Sequence, residues 1–282
     1  MNITLKAFTS EGLSKFFPLY YLFLVIYFFL IPIIKNTSFT SFSEQFYFWV
    51  YLENIPMTFK WNYAGPEHFW SLAVEEHFYL FWPLLVYFFN QKEIVFVIIA
   101  ILILAFITRI VLVKCGFEVF YFTFSRIDEL CVGAILAILE IKGILVSKNS
   151  TKFLILFFLT IIPSLIVWSI YSGKGGILLP VSKFLFLSFS YLSLLGYIIT
   201  LNKNNWLKKI LSSGFMSYTG KISYGLYVYH PLCFYLFNAY FASQNIVFNF
   251  ILSLAFAYTI SSISYYFFEA KFLSLKKYFS YN

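Results

Sequence analysis

About eight apolar stretches, each near the roughly 20 residues that an α-helix needs to cross a bilayer, constrain this chain most. They cover approximately residues 16–34, 69–89, 94–113, 127–146, 153–171, 177–200, 219–241 and 246–268. Only 11% of the residues are charged, whereas soluble domains carry about a quarter. A soluble globule, a disordered chain and a secreted disulfide scaffold are therefore excluded. We predict an all-α, polytopic transmembrane helical bundle of about eight spans that forms one domain over residues 1–282.

The aromatic stretch 42–52 is too short to count as a ninth span. It carries Glu44 and Gln45, and Glu53 follows it. An interfacial or re-entrant helix with aromatic anchors fits this pattern better than a crossing does. The stretch would then belong to a long outer loop over residues 35–68.

The cations indicate the orientation of the spans. With eight spans, thirteen of the twenty Lys and Arg residues fall on the side of both termini and five on the other. Cytoplasmic loops are enriched in Lys and Arg, so both termini are predicted to be cytoplasmic. The net charge of +8 is thereby attributed to topology, and no nucleic-acid partner is predicted. The three cysteines show no metal-binding spacing, so no metal or bound cofactor is predicted.

Ionisable groups inside the spans are the places to search for a site, because each costs at least about 2.5–3.5 kcal/mol at the bilayer centre. The richest segment runs from His68 to Pro83. Its polar and aromatic residues recur every three or four positions, which places them on one helical stripe. The stripe consists of His68, Ser71, Glu75, Tyr79 and Trp82, with Glu76 one step round and His77 on the other side. Proton transfer and simple interhelical hydrogen bonding both remain open for it.

Two further segments carry polar residues. Arg126 precedes Asp128 and Glu129, which helix electrostatics favours as ordinary acids of a helix N-terminus facing the outer surface. Gly133 and Ala137 would let another helix approach closely.

In the third segment Ser223, Tyr227 and His230 share a helical face, and Pro231 should free the carbonyl of Tyr227. Glu269, beside Lys271, fits a solvated pair at the cytoplasmic boundary.

These motifs together resemble the membrane acyltransferase 3 family of integral-membrane O-acyltransferases. Trp70 to Tyr79 with Pro83 resembles its W-S-L-x-x-E-x-x-F-Y-L-x-x-P signature, and Arg126-Ile-Asp128 with Gly133 its F-R-x-D-x-L-x-x-G segment. Ile222 to Pro231 resembles its S-Y-S-L-Y-L-x-H-P segment. Tyr265 to Phe272 resembles its closing Y-x-x-x-E-x-P-F element, with Lys271 in place of the usual Pro. Pro18 to Tyr21 resembles the start of the family's third span.

The resemblance implies an enzyme that moves an acyl group, acetyl by expectation, from acyl-CoA to a hydroxyl of a surface or lipid-linked glycan in the bacterial cytoplasmic membrane. Acyl-CoA is a co-substrate here, and membrane lipid and the glycan are the expected partners. Glu75, Tyr79 and Ser71 are the candidate catalytic residues. The candidate substrate-binding residues are His68, Glu76, Asp128, Arg126, His230, Ser223 and Glu269.

The chain also departs from the family pattern. Family members have about ten spans, and the two missing here would be the first two, which carry the family's basic residue and His. Gly12 and Lys15 stand where the family has R-x-x-R. The sequence therefore predicts an N-terminally incomplete member, and an inactive membrane fragment, alone or with a partner chain, is the alternative to an enzyme. A glycan or lipid transporter ranks last, because Pro163, Pro180 and Pro231 form no paired pattern.

Overall fold

The computed structural model describes residues 17–172, 176–241 and 245–274, and within these ranges it contains helices and connecting turns but no strand. In chain order the helices are α1 (Phe17–Lys35), α2 (Phe42–Trp49), α3 (Asn54–Phe59), α4 (Trp70–Phe88), α5 (Gln91–Lys114), α6 (Thr123–Ile141), α7 (Ser150–Tyr171), α8 (Leu178–Thr200), α9 (Trp206–Leu211), α10 (Gly214–Phe241), α11 (Ile246–Ser264) and α12 (Ala270–Ser274). The all-α prediction is confirmed.

Five helical segments are long and apolar enough to cross a membrane: Phe17–Lys35, Gln91–Lys114, Ser147–Tyr171, Leu178–Thr200 and Ile246–Ser274. The other three predicted spans also form long helices, namely α4, α6 and α10. These three carry the polar motifs, which lower their mean hydropathy. A multi-pass membrane protein is thereby supported, whereas the count of eight spans stays a prediction.

The chain divides into two compact units, one within Phe42–Ile210 and one formed by Met1–Ser41 with Leu211–Asn282. The prediction of one domain over residues 1–282 is not tested by this division. In the first of these units α7 packs along α8, and α5 packs along α6, which also contacts α4 and α8. Helix α5 begins at a capping box, in which Asn90 and Glu93 satisfy each other's backbone N–H groups.

The stretch 42–52 forms α2 and a turn that leads into α3. Neither helix is long enough to cross a bilayer, having eight and six residues. Tyr51, in the turn after α2, and Lys60, the C-terminal cap of α3, adopt left-handed backbone conformations with φ of 55° and 59°. The exclusion of this stretch as a full span is consistent with these short helices.

In the second unit α10 packs along α11 and also contacts α1. Helix α1 contains a π-helical turn at Ile26–Leu30, and a second π-helical turn, Tyr265–Glu269, connects α11 to α12. Such turns insert an extra residue into the helical register and are frequent at functional sites. Helix α10 continues through Pro231 over 28 residues.

We predict that Gly196→Ala destabilises the α7–α8 pair. A Cβ at Gly196 would lie 2.5 Å from Cδ1 of Phe153, whose side chain is itself buried. The overpacking, typically about 1–3 kcal/mol, should exceed the helix-propensity gain of about 1 kcal/mol. The midpoint of thermal unfolding in detergent should therefore fall. Gly220→Ala is the matched control, because nothing lies within 4 Å of its Cβ, and its midpoint should stay or rise. An equal rise in both variants would contradict the prediction.

Candidate functional site

The predicted polar stripe begins in a 3-10 turn, Glu67–Phe69, that leads directly into α4. Phe69 is fully buried and anchors the turn, while Glu67 lies near the positive end of the helix. Ser71, Glu75 and Tyr79 are half-buried along α4. The helical spacing of the stripe is therefore confirmed, and its catalytic role stays a prediction.

The inner end of the stripe is packed into an apolar core. Trp82 stacks on Phe78 with ring centroids 5.0 Å apart. Tyr79 and Trp82 both pack against the buried cluster of Phe78, Ile98 and Cys131. The rings that follow Glu75 along α4 are thus packed among residues of three helices. Glu75 is also close enough to Glu76 and Tyr79 to interact electrostatically with both.

Two tyrosines in neighbouring loops interact with Glu67, which precedes the N-terminus of α4. The Tyr63 hydroxyl donates a hydrogen bond to Oε1 of Glu67 at 3.4 Å. Burial raises the pKa of Tyr63 and of Tyr121, and the Glu67 carboxylate adds to both increases. Both phenols are therefore hydrogen-bond donors at neutral pH.

On the other side of α4, His77 joins a polar cluster that the sequence did not predict. Its Nδ1 lies 2.7 Å from Oγ1 of Thr123, which accepts a hydrogen bond from Nδ2 of Asn54 at 2.8 Å. Asn54 is fully buried, and its Nδ2 also lies 3.3 Å from the Tyr121 carbonyl. The cluster ties α3, α4 and the start of α6 together. Its only sequence signal is an Asn in a short apolar segment.

Asp128 does not face the outer surface, so the interpretation of it as an ordinary N-terminal helix acid is wrong. Arg109 NH2 donates to both carboxylate oxygens, at 2.6 and 2.7 Å, and both side chains are fully buried. Nε of Arg109 donates to the Ser125 carbonyl at 2.8 Å. Ser125 in turn donates its hydroxyl to the carbonyls of Val119 and Phe122. The interpretation fails because Arg109 on α5 supplies a cation for Asp128. A buried carboxylate is far less unfavourable when it is paired with a cation than when it is alone.

Arg126 and Glu129 form an ion pair on α6, with NH1 and Oε1 2.9 Å apart. The Arg126 guanidinium lies against the rings of Trp70, Phe120 and Phe184, between 4.2 and 5.3 Å from their centroids. Such cation–π contacts hold a desolvated guanidinium in place. Glu129 is thus partly exposed but paired, so the simple surface-acid interpretation holds for it only in part.

The predicted close helix contact at Gly133 is absent from the part of the chain that the structure describes. A Cβ on Gly133 would meet nothing within 4 Å. Gly133 instead lines an open groove between α6 and α8.

In the other unit, His230 is positioned by the proline that follows it. Pro231 lacks an N–H, so the carbonyl of Tyr227 loses its helical partner, as predicted. Nδ1 of His230 lies 2.8 Å from that carbonyl and 3.1 Å from the carbonyl of Leu226. Ser223, by contrast, is exposed and donates to the Gly220 carbonyl at 2.9 Å.

Glu269 is buried, so the interpretation of it as a solvated pair with Lys271 is wrong. Glu269 is the last residue of the π turn Tyr265–Glu269, and its side chain accepts a hydrogen bond from the Ser264 hydroxyl at 3.1 Å. The Ser264 hydroxyl also lies 3.3 Å from the Tyr229 hydroxyl. Gly225 makes room for the carboxylate, because a Cβ there would be 3.1 Å from Oε1. The sequence did not predict this π turn, in which Glu269 is buried.

Comparison with known proteins supports the resemblance to the acyltransferase 3 family. The acyltransferase 3 family, described as an acyltransferase domain, matches residues 13–266. The chain belongs to the acyltransferase 3 family. The match includes the candidate residues on α4, α6 and α10, and it ends before Glu269. No solved structure matches the chain.

The relatives include two proteins named OatA. The peptidoglycan O-acetyltransferase OatA of Listeria monocytogenes is 24% identical over 95% of this chain and 46% of its own length. The O-acetyltransferase OatA of Staphylococcus aureus is 26% identical over 78% of this chain and 38% of its own. The chain therefore spans less than half the length of the curated relatives it matches.

Across the described ranges, no group of three or more His, Cys, Asp or Glu side chains is arranged to hold a metal ion. Cys131 and Cys233 are buried and Cys115 is exposed, and all three are free thiols. The predicted site residues are divided between the two units. Glu75, Glu76, Arg126 and Asp128 belong to one unit, whereas His230, Ser223 and Glu269 belong to the other.

We predict that Asp128→Asn lowers the free energy of unfolding by about 3–5 kcal/mol, the usual cost of leaving one charge of a buried pair alone. The measurement is chemical or thermal unfolding in detergent. Arg109→Met combined with Asp128→Leu should recover most of the loss, because it removes both charges. A double variant as unstable as the single one would contradict a structural role for the pair.

Proposed function

We propose that the chain is an integral-membrane O-acyltransferase that moves an acyl group, acetyl by expectation, from acyl-CoA to a hydroxyl of a cell-wall, other surface or lipid-linked glycan. The observation that carries this proposal is the family match over residues 13–266. The names of the relatives support O-acetylation, and that from Listeria monocytogenes supports peptidoglycan as the class of acceptor.

The chemistry requires a base for the acceptor hydroxyl and a way to stabilise the developing oxyanion. We assign the base to Glu75, which is half-buried above the packed rings of Tyr79 and Trp82. The acceptor oxygen attacks the thioester carbonyl while its proton passes to the carboxylate. The C–S bond then breaks, and the CoA sulfur leaves and takes up a proton. Tyr79 and Ser71 lie one turn to either side along α4 and are the hydroxyl donors assigned to the oxyanion.

Substrate contacts are assigned to the remaining candidates, His68, Glu76, Asp128, Arg126, His230, Ser223 and Glu269. Among them, Asp128 would act indirectly, because its side chain is fully buried against Arg109. We therefore treat Asp128 as a positioning residue that fixes the rotation of α6. Arg126 lies on the same helix and is partly exposed.

We propose eight spans, with α4, α6 and α10 crossing in addition to the five most apolar segments. The cation distribution supports cytoplasmic termini, and the bacterial cytoplasmic membrane is the proposed location. Acyl-CoA would then be supplied from the cytoplasm and the glycan from outside. The chain is treated as one acyltransferase domain over residues 1–282.

We predict that Glu75→Gln abolishes acyl transfer, by at least about 100-fold, because an amide cannot accept the hydroxyl proton. The purified chain would be incubated with labelled acetyl-CoA and peptidoglycan fragments, and label in the glycan would be counted. Glu140→Gln, an exposed acid on α6, is the matched control and should transfer at the wild-type rate. Absence of transfer by the wild-type chain would favour the inactive-fragment alternative. Transfer unchanged in Glu75→Gln would remove Glu75 as the base.

The proposed orientation predicts that Cys115 is reached from outside the cell. Cys115 is exposed in the loop after α5, while Cys131 and Cys233 are buried. A membrane-impermeant maleimide should therefore label intact cells, and Cys115→Ser should abolish the labelling. In the Cys115→Ser background, Lys148→Cys should react only after lysis, because residue 148 lies in a loop assigned to the cytoplasm. The reverse labelling pattern would show that the orientation is opposite to the proposed one.

A further inference from the structure

An open groove runs between α6 and α8, with a volume of about 340 Å³. This is within the range of ligand pockets, roughly 300–1,000 Å³. On α6 its lining runs from Arg126 to Leu136, which is about 15 Å along a helix. On α8 it runs from Phe184 to Leu195.

The groove is polar at one end and mostly apolar along the rest. Arg126 and Glu129 lie at the polar end, beside the ring of Phe184. Further along, the lining is apolar apart from Ser188 and the Tyr191 hydroxyl, and Ser188 donates its hydroxyl to the backbone of its own helix. Gly133 leaves the floor open, because nothing lies within 4 Å of where its Cβ would be. Tyr191 and Leu195 are 64% and 50% exposed, so the apolar part opens onto the outer surface of this unit.

Two cations lie against the Phe184 ring at the polar end, Arg126 in the lining and Lys183 beside it, and they repel each other. Nζ of Lys183 lies 4.7 Å from the centroid of the Phe184 ring, whose other contacts include the Arg126 guanidinium at 4.2 Å. The two charges are close enough to interact. One carboxylate, Glu129, pairs with Arg126 through NH1, and Glu118, which acts on Lys183, is exposed and screened by water. Nε of Arg126 is buried and has no hydrogen-bond partner among the described residues.

We propose that this groove binds a membrane lipid with a phosphate headgroup. The phosphate would lie against Arg126 and Lys183, which offsets their mutual repulsion, since guanidinium groups bind phosphate through charge-assisted hydrogen bonds. The hydrocarbon chain would lie along Gly133, Leu136 and Leu195. Charge complementarity at one end and an apolar lining at the other together select an anionic amphiphile over a free anion or a neutral lipid.

The inference rests on the proposed function, which assigns Arg126 as a substrate-binding residue, and it extends that function. It names the chemical class that would contact Arg126, a lipid phosphate, and so favours a lipid-linked acceptor. Binding can be measured without any acyl donor, so a failure of the binding test is distinguishable from a failure of acyl transfer.

The test uses the full chain, purified in detergent and stripped of lipid, and native mass spectrometry to count bound lipids. The probes are dioleoyl phosphatidic acid, dioleoylglycerol with the same chains, and inorganic phosphate. We expect one phosphatidic acid per chain, with dioleoylglycerol at least about tenfold weaker and no displacement by equimolar inorganic phosphate. Arg126→Gln should weaken phosphatidic acid binding by about tenfold or more, as expected for a lost charge-assisted hydrogen bond.

Gly133→Leu is the sharper variant, because a Cβ at this lining position meets nothing within 4 Å, so a larger side chain can extend into the groove. It should unfold at the wild-type temperature and lose phosphatidic acid binding. Gly214→Leu is the matched control, at another helical glycine with nothing within 4 Å, and should bind as wild type does. The proposal is overturned if dioleoylglycerol binds as tightly as phosphatidic acid, or if inorganic phosphate competes equally. It is also overturned if Gly133→Leu binds normally, or if the lipid-free chain forms a dimer that this variant breaks, since the groove would then be an interface.

Discussion

The buried pair between Arg109 and Asp128 sets the rotation of α6, and much of the unit around residues 42–210 depends on that rotation. Residues on a helix advance by about 100° each, so Arg126, two positions before Asp128, points about 200° away from it. Turning Asp128 inward to Arg109 therefore turns Arg126 toward Trp70, Phe120 and Phe184. Glu129, one further step round, reaches Arg126 from the same side as the groove. A single ion pair thus decides which polar groups of α6 stay buried and which can meet a ligand.

The sequence predicted what depends on local patterns. Apolar length placed the long helices, the three- and four-residue spacing placed Ser71, Glu75 and Tyr79 on one stripe, and the missing N–H of Pro231 predicted the freed carbonyl of Tyr227. Each of these follows from the geometry of one helix. The family resemblance, carried by motifs on separate helices, extended the prediction to the whole chain, and the family match confirmed it over residues 13–266.

The sequence could not predict contacts between helices. Asp128 lies 19 residues from Arg109, and local helix electrostatics alone favours a surface acid at that position. Asn54 and Thr123 are 69 residues apart, so nothing in either segment reveals that they share a hydrogen bond beside His77. Glu269 was misplaced for another reason, because its position beside Lys271 suggested a solvated boundary, whereas it ends a π turn and accepts a hydrogen bond from Ser264. In the first two cases a tertiary contact overrode a sound local rule.

The hydrogen bond between His230 and the Tyr227 carbonyl has a consequence for the tautomer of the imidazole ring. A carbonyl oxygen only accepts, so Nδ1 must carry the hydrogen, and in the neutral ring the lone pair resides on Nε2. Pro231 is the origin of this preference, because without it the carbonyl would be occupied by the backbone of the next turn. A proline is usually considered for how it bends a helix. At this position it also selects a tautomer, and so determines which ring nitrogen presents its lone pair.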